Sequence, residues 1–171
     1  DAPADVMITL APVNTQLAVT DIIWSPVLRK FPDLRFALSE GGIGWIPYLL
    51  ERTDYVYTHH RAWTHQDFGD QLPSQLFKER FITCFIDDVT GLAIRDMVGI
   101  DSITWECDYP HSDSTWPTSP EQLTKSLTGL SDDEIDKITH LNAMRHFRYD
   151  PFATMPKEQC TVGALRALAQ A

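Results

Sequence analysis

Ser102-Ile103-Thr104-Trp105-Glu106-Cys107-Asp108-Tyr109-Pro110-His111 joins a short β-branched and aromatic run to a turn that carries an aspartate and a histidine. Ser102 to Glu106 has the length and composition of a strand. The plan recurs twice upstream. Leu34-Arg35-Phe36-Ala37-Leu38 is an apolar run of strand length, ended by Ser39-Glu40-Gly41-Gly42. Phe81-Ile82-Thr83-Cys84-Phe85-Ile86 reads as a buried strand closed by Asp87-Asp88.

Helical patterns separate these strands. Leu17, Val19, Ile22, Ile23, Val27 and Leu28 fall largely on one side of a helix over residues 14–30, kinked at Pro26. Ile43 to about His60 is a second helix, with Pro47 near its start, where a helix tolerates proline. Pro73 opens a short third one. Ala93, Ile94, Met97 and Val98 recur at three-to-four spacing before Gly99. Ser131-Asp132-Asp133-Glu134 is a capping box heading a helix to about Phe147. Such alternation implies parallel strands joined by crossover helices, hence an α/β fold. Three strands make an incomplete sheet, so either Val6-Met7-Ile8-Thr9-Leu10 is a further strand or the chain is part of a larger barrel or sheet. Residues 1–150 are expected to form the α/β unit and 151–171 a tail, helical near 162–169.

The 171 residues suit one domain, and 43% hydrophobic content is enough for a core. A formal charge of −10 repels phosphate backbones and anionic surfaces, which argues against nucleic acid as a partner. No apolar run approaches the roughly 20 residues that span a bilayer, so no membrane partner is expected. Cys84, Cys107 and Cys160 are odd in number and far apart, forming neither a disulfide framework nor a C-x-x-C knuckle. A reducing, cytoplasmic setting follows as the simplest expectation. The start, Asp1-Ala2-Pro3-Ala4-Asp5, has no basic segment and no initiator Met, and reads as an internal position of a longer chain or a processed end.

In parallel α/β folds, ligands lie beyond the carboxyl ends of the strands. Those ends present Glu40-Gly41-Gly42, Asp87-Asp88 and Asp108-Tyr109-Pro110-His111. Carboxylates there suit a divalent cation or a general base, and a neighbouring imidazole can ligate or move a proton. The competing explanation is that such carboxylates cap the following helix, and Asp87 and Asp88 are assigned to it. Gly41-Gly42 lets the backbone approach a ligand beside Glu40, although an ordinary turn explains the pair equally well. His59, His60 and His65 are spaced five and six apart and do not share a helical face. His140 and His146 are expected to be exposed or satisfied by a carbonyl. Trp45, Trp63, Trp105 and Trp116 read first as packing residues, Trp116 equally as a substrate platform. Cys107, on the opposite side of an extended strand from Asp108, reads as a buried structural thiol. There is no G-x-S-x-G, Walker, H-E-x-x-H or C-x-x-C motif.

Taken in order, Phe31-Pro32-Asp33-Leu34-Arg35, Ser39-Glu40-Gly41-Gly42, Trp105-Glu106-Cys107-Asp108-Tyr109-Pro110-His111 and Asn142-Ala143-Met144-Arg145-His146-Phe147 resemble the amidohydrolase-2 family over about residues 14–152. That family includes aminocarboxymuconate-semialdehyde decarboxylase and resorcylate-type decarboxylases. The resemblance implies the carboxyl-terminal part of a (β/α)8 TIM-type barrel, about strands 6 to 8 with surrounding helices. It also implies a divalent metal, zinc in many members. On this pattern Asp108 is the metal ligand and a catalytic residue. Glu40, the other catalytic residue, stands where relatives often carry an acid/base histidine, and serves as proton shuttle or water-orienting group; His111 lines the substrate, and Trp116 is counted with it from its loop position. The family's His-x-His pair is absent from this chain, so the remaining ligands belong to a preceding part.

The expected function is a metal-dependent hydrolase or non-oxidative decarboxylase of a small carboxylated or cyclic substrate, as part of a longer enzyme. The 171 residues alone are expected to be inactive. The alternative is a truncated, non-catalytic association module whose open sheet edges are covered by another copy or by the missing amino-terminal part.

Overall fold

The computed structural model describes residues 3–170. Residues 1, 2 and 171, at the ends of the two expected units, lie outside the described residues. The elements are α1 (Ala4–Trp24), α2 (Val27–Lys30), β1 (Phe36–Leu38), α3 (Ile46–Thr64), α4 (Pro73–Arg80) and β2 (Phe81–Phe85). They continue with α5 (Val89–Ala93), α6 (Arg95–Val98), β3 (Ile103–Trp105), α7 (Ser119–Ser126), α8 (Asp132–Asp136), α9 (Asn142–Phe147) and α10 (Val162–Ala169). A π-helical turn, Lys137–Leu141, joins α8 to α9, so the capping box at Ser131 heads one helical run to Phe147.

The three strands form one parallel sheet in the order β1-β2-β3. Its register pairs Phe36 with Phe81 and Ala37 with Ile82, then Thr83 with Ile103 and Cys84 with Thr104. Paired residues share a face. Phe36, Phe81, Phe85 and Ile103 therefore look one way, into the core shared with Val19, Ile23, Ile46 and Phe77. Ala37, Ile82, Cys84 and Thr104 look the other way, toward an open cavity of about 190 Å³ where Ala143 and Phe147 are the covering side chains from α9. The α/β class holds. Three strands leave the sheet open, since closure into a barrel of this type needs about eight.

In the amino-terminal region one open alternative is excluded and two expectations are overturned. Val6-Met7-Ile8-Thr9-Leu10 is not a strand, and the first helix starts at Ala4 rather than near residue 14. β-branched residues favour strands only weakly against a continuing helix, and Pro12 sits inside α1 without ending it. Pro26 does not kink the helix but separates α1 from α2 across Ser25-Pro26. The expectation of no bilayer-length segment also fails: α1 has 21 residues and a mean hydropathy of 1.4 over its best window, of which 11% is buried. A window average tolerates Asn14, Thr15 and Gln16, which interrupt an apolar run read residue by residue. Val19 and Ile23 anchor α1 in the core, while Met7, Ile8, Leu10 and Leu17 are exposed.

Asp88 ties two strand exits together. As N-cap of α5 it accepts from Gly91 N at 2.7 Å, as the sequence led us to expect. Its other oxygen accepts from Ile43 N at 2.7 Å and Gly44 N at 2.8 Å, in the loop that leaves β1. Asp87 caps nothing; it is exposed, 3.5 Å from the Ser126 hydroxyl. Further along, Arg95 Nε lies 2.6 Å from Glu134 Oε1, and this hydrogen bond holds the Glu134 carboxyl down at about 2.

Replacing Asp88 by Ala strands three backbone N–H groups and is expected to lower unfolding stability by roughly 3 kcal/mol in urea denaturation. The Glu134 contribution has a definite sign. Its depressed folded pKa adds stability above its ordinary 4.5, which is lost as pH falls through about 2. Acid unfolding of Glu134→Gln should accordingly show a shallower loss between those limits.

Candidate metal centre at the strand ends

The Glu40 carboxylate, the Asp108 carboxylate and the His111 imidazole converge beyond the carboxyl ends of the sheet. One ligand-type atom from each lies within 4.8 Å of the others. Glu40 comes two residues after β1 and Asp108 three residues after β3. His111 N donates to Asp108 O at 2.8 Å, and this tight turn brings the imidazole back over the carboxylate. His111 Nδ1 and Asp108 Oδ2 are 2.6 Å apart.

The backbone marks both carboxylate positions. Glu40 and Asp108 each have φ 57°, in the left-handed region. His65 and Arg148 share that conformation, but each follows a helix as its C-cap, where it is ordinary. Glu40 and Asp108 end no helix. A non-glycine residue held there costs on the order of 1–3 kcal/mol, and such residues cluster at functional sites.

Gly41 and Gly42 serve packing more than ligand approach. A Cβ on Gly41 would lie 2.9 Å from Thr15 Cγ2, and Gly42, at φ +63°, lies over the Asp88 carboxylate. The donor set of two carboxylates and one imidazole suits a divalent first-row cation or Zn²⁺. Asp108 is half-buried and Glu40 and His111 are exposed, leaving room for further ligands.

Trp116 stands outside the donor cluster. It is 60% exposed and tilts against Tyr109 with ring centroids 5.2 Å apart, so the pair forms an aromatic wall carried by the same loop. Cys107 corrects the expectation of a buried structural thiol. It is half-buried, with Sγ 3.1 Å from Ser119 Oγ and 3.5 Å from Ser114 Oγ, and these hydroxyls hold its pKa below the usual thiol value.

The other histidines do not assemble. His59 stacks on Tyr55, His60 accepts from Trp63 Nε1, and His65 is a helix C-cap. His140 and His146 are half-buried rather than exposed, and neither bonds a carbonyl: His140 Nδ1 meets Thr139 Oγ1, and burial lowers the His146 pKa. Of the tryptophans, Trp45 and Trp105 are partly buried and bond the carbonyls of Gly41 and Ile86, whereas Trp63 is 69% exposed.

Sequence reasoning passed over Glu106, whose Oε1 accepts from Glu40 N at 2.6 Å. The period-two alternation of β3 was the available signal, because it puts Glu106 on the same side as Thr104.

The Amidohydrolase family model, Amidohydro_2, matches residues 1–149. The chain belongs to this family. No curated protein matches the sequence. Among solved structures, 5-carboxyvanillate decarboxylase LigW from Sphingomonas paucimobilis aligns with a TM-score of 0.62 and 23% identity, covering 78% of this chain and 39% of that one. An amidohydrolase from Mycobacterium avium subsp. paratuberculosis K-10 aligns at TM-score 0.62 and 22% identity, over 75% of this chain and 32% of that one. A dihydroxybenzoic acid decarboxylase from Polaromonas sp. JS666, with bound manganese and 2-nitroresorcinol, aligns at 0.60 and 20%, over 86% and 47%. The likeness is one of fold, and this chain spans less than half the length of each of the three.

The bond to Asp108, followed by that carboxylate's charge, raises the His111 pKa above its ordinary 6.5. The stabilisation is complete below 6.5 and is lost as pH rises through the folded value. An NMR titration of the metal-free protein should give a His111 midpoint above 6.5, and Asp108→Asn should bring it back toward 6.5.

Proposed function

We propose that this chain is the carboxyl-terminal part, about strands 6 to 8, of a metal-dependent decarboxylase or hydrolase barrel acting on a small carboxylated or cyclic substrate. The observation that carries the reading is the convergence of Glu40, Asp108 and His111 at the carboxyl ends of three parallel strands. Family membership and decarboxylase-like folds support it, as does manganese in one structural neighbour.

In this reading Asp108 is the ligand contributed by β3, with Glu40 and His111 beside it. A bound divalent cation would supply Lewis-acid polarisation of a substrate oxygen. The chain's own residues do the rest. His111 would have to offer a deprotonated ring nitrogen to serve as a ligand, its proton passing to solvent. Glu40, exposed at the mouth, can carry a proton on its carboxylate to or from a substrate atom. Tyr109 and Trp116 offer flat apolar faces for a ring. A carboxylated aromatic substrate fits this combination of aromatic wall and cation.

The remaining ligands would come from the part of the barrel outside these residues. The exposed apolar side of α1 and the open sheet face around Ala37 favour such association, with the amino-terminal part or with another copy.

Isothermal titration of the full-length protein with Mn²⁺ and Zn²⁺, together with CO₂ release from hydroxybenzoates, tests the reading. Binding near one metal per chain is expected, weakened at least about 100-fold by Asp108→Asn with loss of turnover. Full-length protein that takes up neither metal sinks the proposal.

A further inference from the structure

Glu106 reaches across the sheet. It follows β3, and its backbone N–H, donating to Phe85 O at 3.0 Å, extends the ladder with β2 by one residue. Its side chain does not stay with β2. Oε1 accepts from the backbone N of Glu40, 66 residues away and beyond β1, at 2.6 Å. Since β2 lies between β1 and β3, and neighbouring strands are about 4.8 Å apart, the carboxylate arches over the end of the central strand. Cys84 lies beneath the arch, where its Sγ donates to Leu38 O at 3.0 Å. Burial, followed by the neighbouring Glu106 carboxylate, pushes the Cys84 pKa up, so the sulfur stays protonated and donates.

We infer that Glu106 is a positioning residue that fixes the backbone at Glu40, and through it the distance between Glu40 and Asp108. Two observations bear on this independently of the ligand cluster. Glu40 adopts φ 57° without a glycine's freedom and without the helix end that explains His65 and Arg148. Such a conformation persists only where neighbouring groups hold it. In addition, at 2.6 Å the bond is short for N–H···O, so the Glu40 N–H is held close against the Glu106 carboxylate. Asp88 fixes the same loop from the other side at Ile43 and Gly44. Glu40 is thus held between two carboxylates, one after β2 and one after β3. Glu106 itself is absent from the three-residue donor cluster. Its part is to hold the backbone that carries one member.

The inference rests on the metal-site reading for its consequence but not for its geometry, and the experiment separates the two. In the full-length protein, hydrogen exchange across residues 39–44 is followed by mass spectrometry, and Mn²⁺ affinity by titration, for Glu106→Asp, Glu106→Gln and Glu106→Ala. Aspartate keeps the charge but is one methylene short of Glu40 N; glutamine keeps the reach and an acceptor oxygen. Faster exchange and about tenfold weaker Mn²⁺ binding are expected for the Asp and Ala variants. Near wild-type values are expected for Gln. The thermal midpoint should stay unchanged in Glu106→Asp, because water can replace the acceptor at this exposed amide.

Exchange in Glu106→Asp that matches wild type overturns the inference, as does a Gln variant that loses as much as Asp. Should wild type take up no Mn²⁺ while exchange follows the expected order, the metal reading fails and the positioning role stands.

Discussion

One carboxylate organises the end of the sheet where the candidate centre sits. Asp88 accepts three backbone N–H groups, from Ile43, Gly44 and Gly91. It thereby welds the loop after β1 onto the turn after β2. The cost of this close approach falls on side chains: a Cβ at Gly91 would lie 2.3 Å from Ile43 Cγ1 and 2.9 Å from the Asp88 carboxylate. Gly44 is similarly confined, since a Cβ there would lie 3.1 Å from Asp88 Oδ1. Glu40 lies in the same loop, and its carboxylate meets Asp108 and His111.

The two faces of the sheet have different fates. One is closed by helices around Phe77, Phe81 and Phe85, whose aromatic packing includes the Phe77–Phe81 stack at 4.7 Å. The other carries Ala37, Ile82, Cys84 and Thr104 and stays partly open. Parallel sheets are normally covered on both faces. The uncovered face and the exposed apolar side of α1 are the same physical statement: apolar surface that the described residues do not bury. The chain spans less than half the length of each of the three structural neighbours.

Much of the local structure was legible. Strand cores at Phe36–Leu38, Phe81–Phe85 and Ile103–Trp105 fall inside the stretches that composition marked, because β-branched and aromatic runs bounded by turn residues are local signals. The Ser131 capping box and Pro47 in the first turn of α3 were equally local. The strand alternative for residues 6–10 rested on a run that favours strand locally, while the decision belonged to the helix continuing through Pro12 to Trp24. Cys107 was misread because strand alternation was extended past Trp105, where the strand ends. Its partners are hydroxyls from the following loop and α7.

The sequence by itself determined the alternation of strands and helices, the parallel sense that alternation requires, and the presence of an acidic residue beyond each strand. Those features depend on neighbours in the chain. Tertiary structure decided which carboxylates meet. Glu40 and Asp108 converge with His111, Asp88 turns inward to hold backbone, Asp87 faces solvent, and Glu106 crosses to Glu40. Sequence spacing could not distinguish these outcomes, because the distance between side chains on different strands is set by register, twist and the path of each loop rather than by separation along the chain.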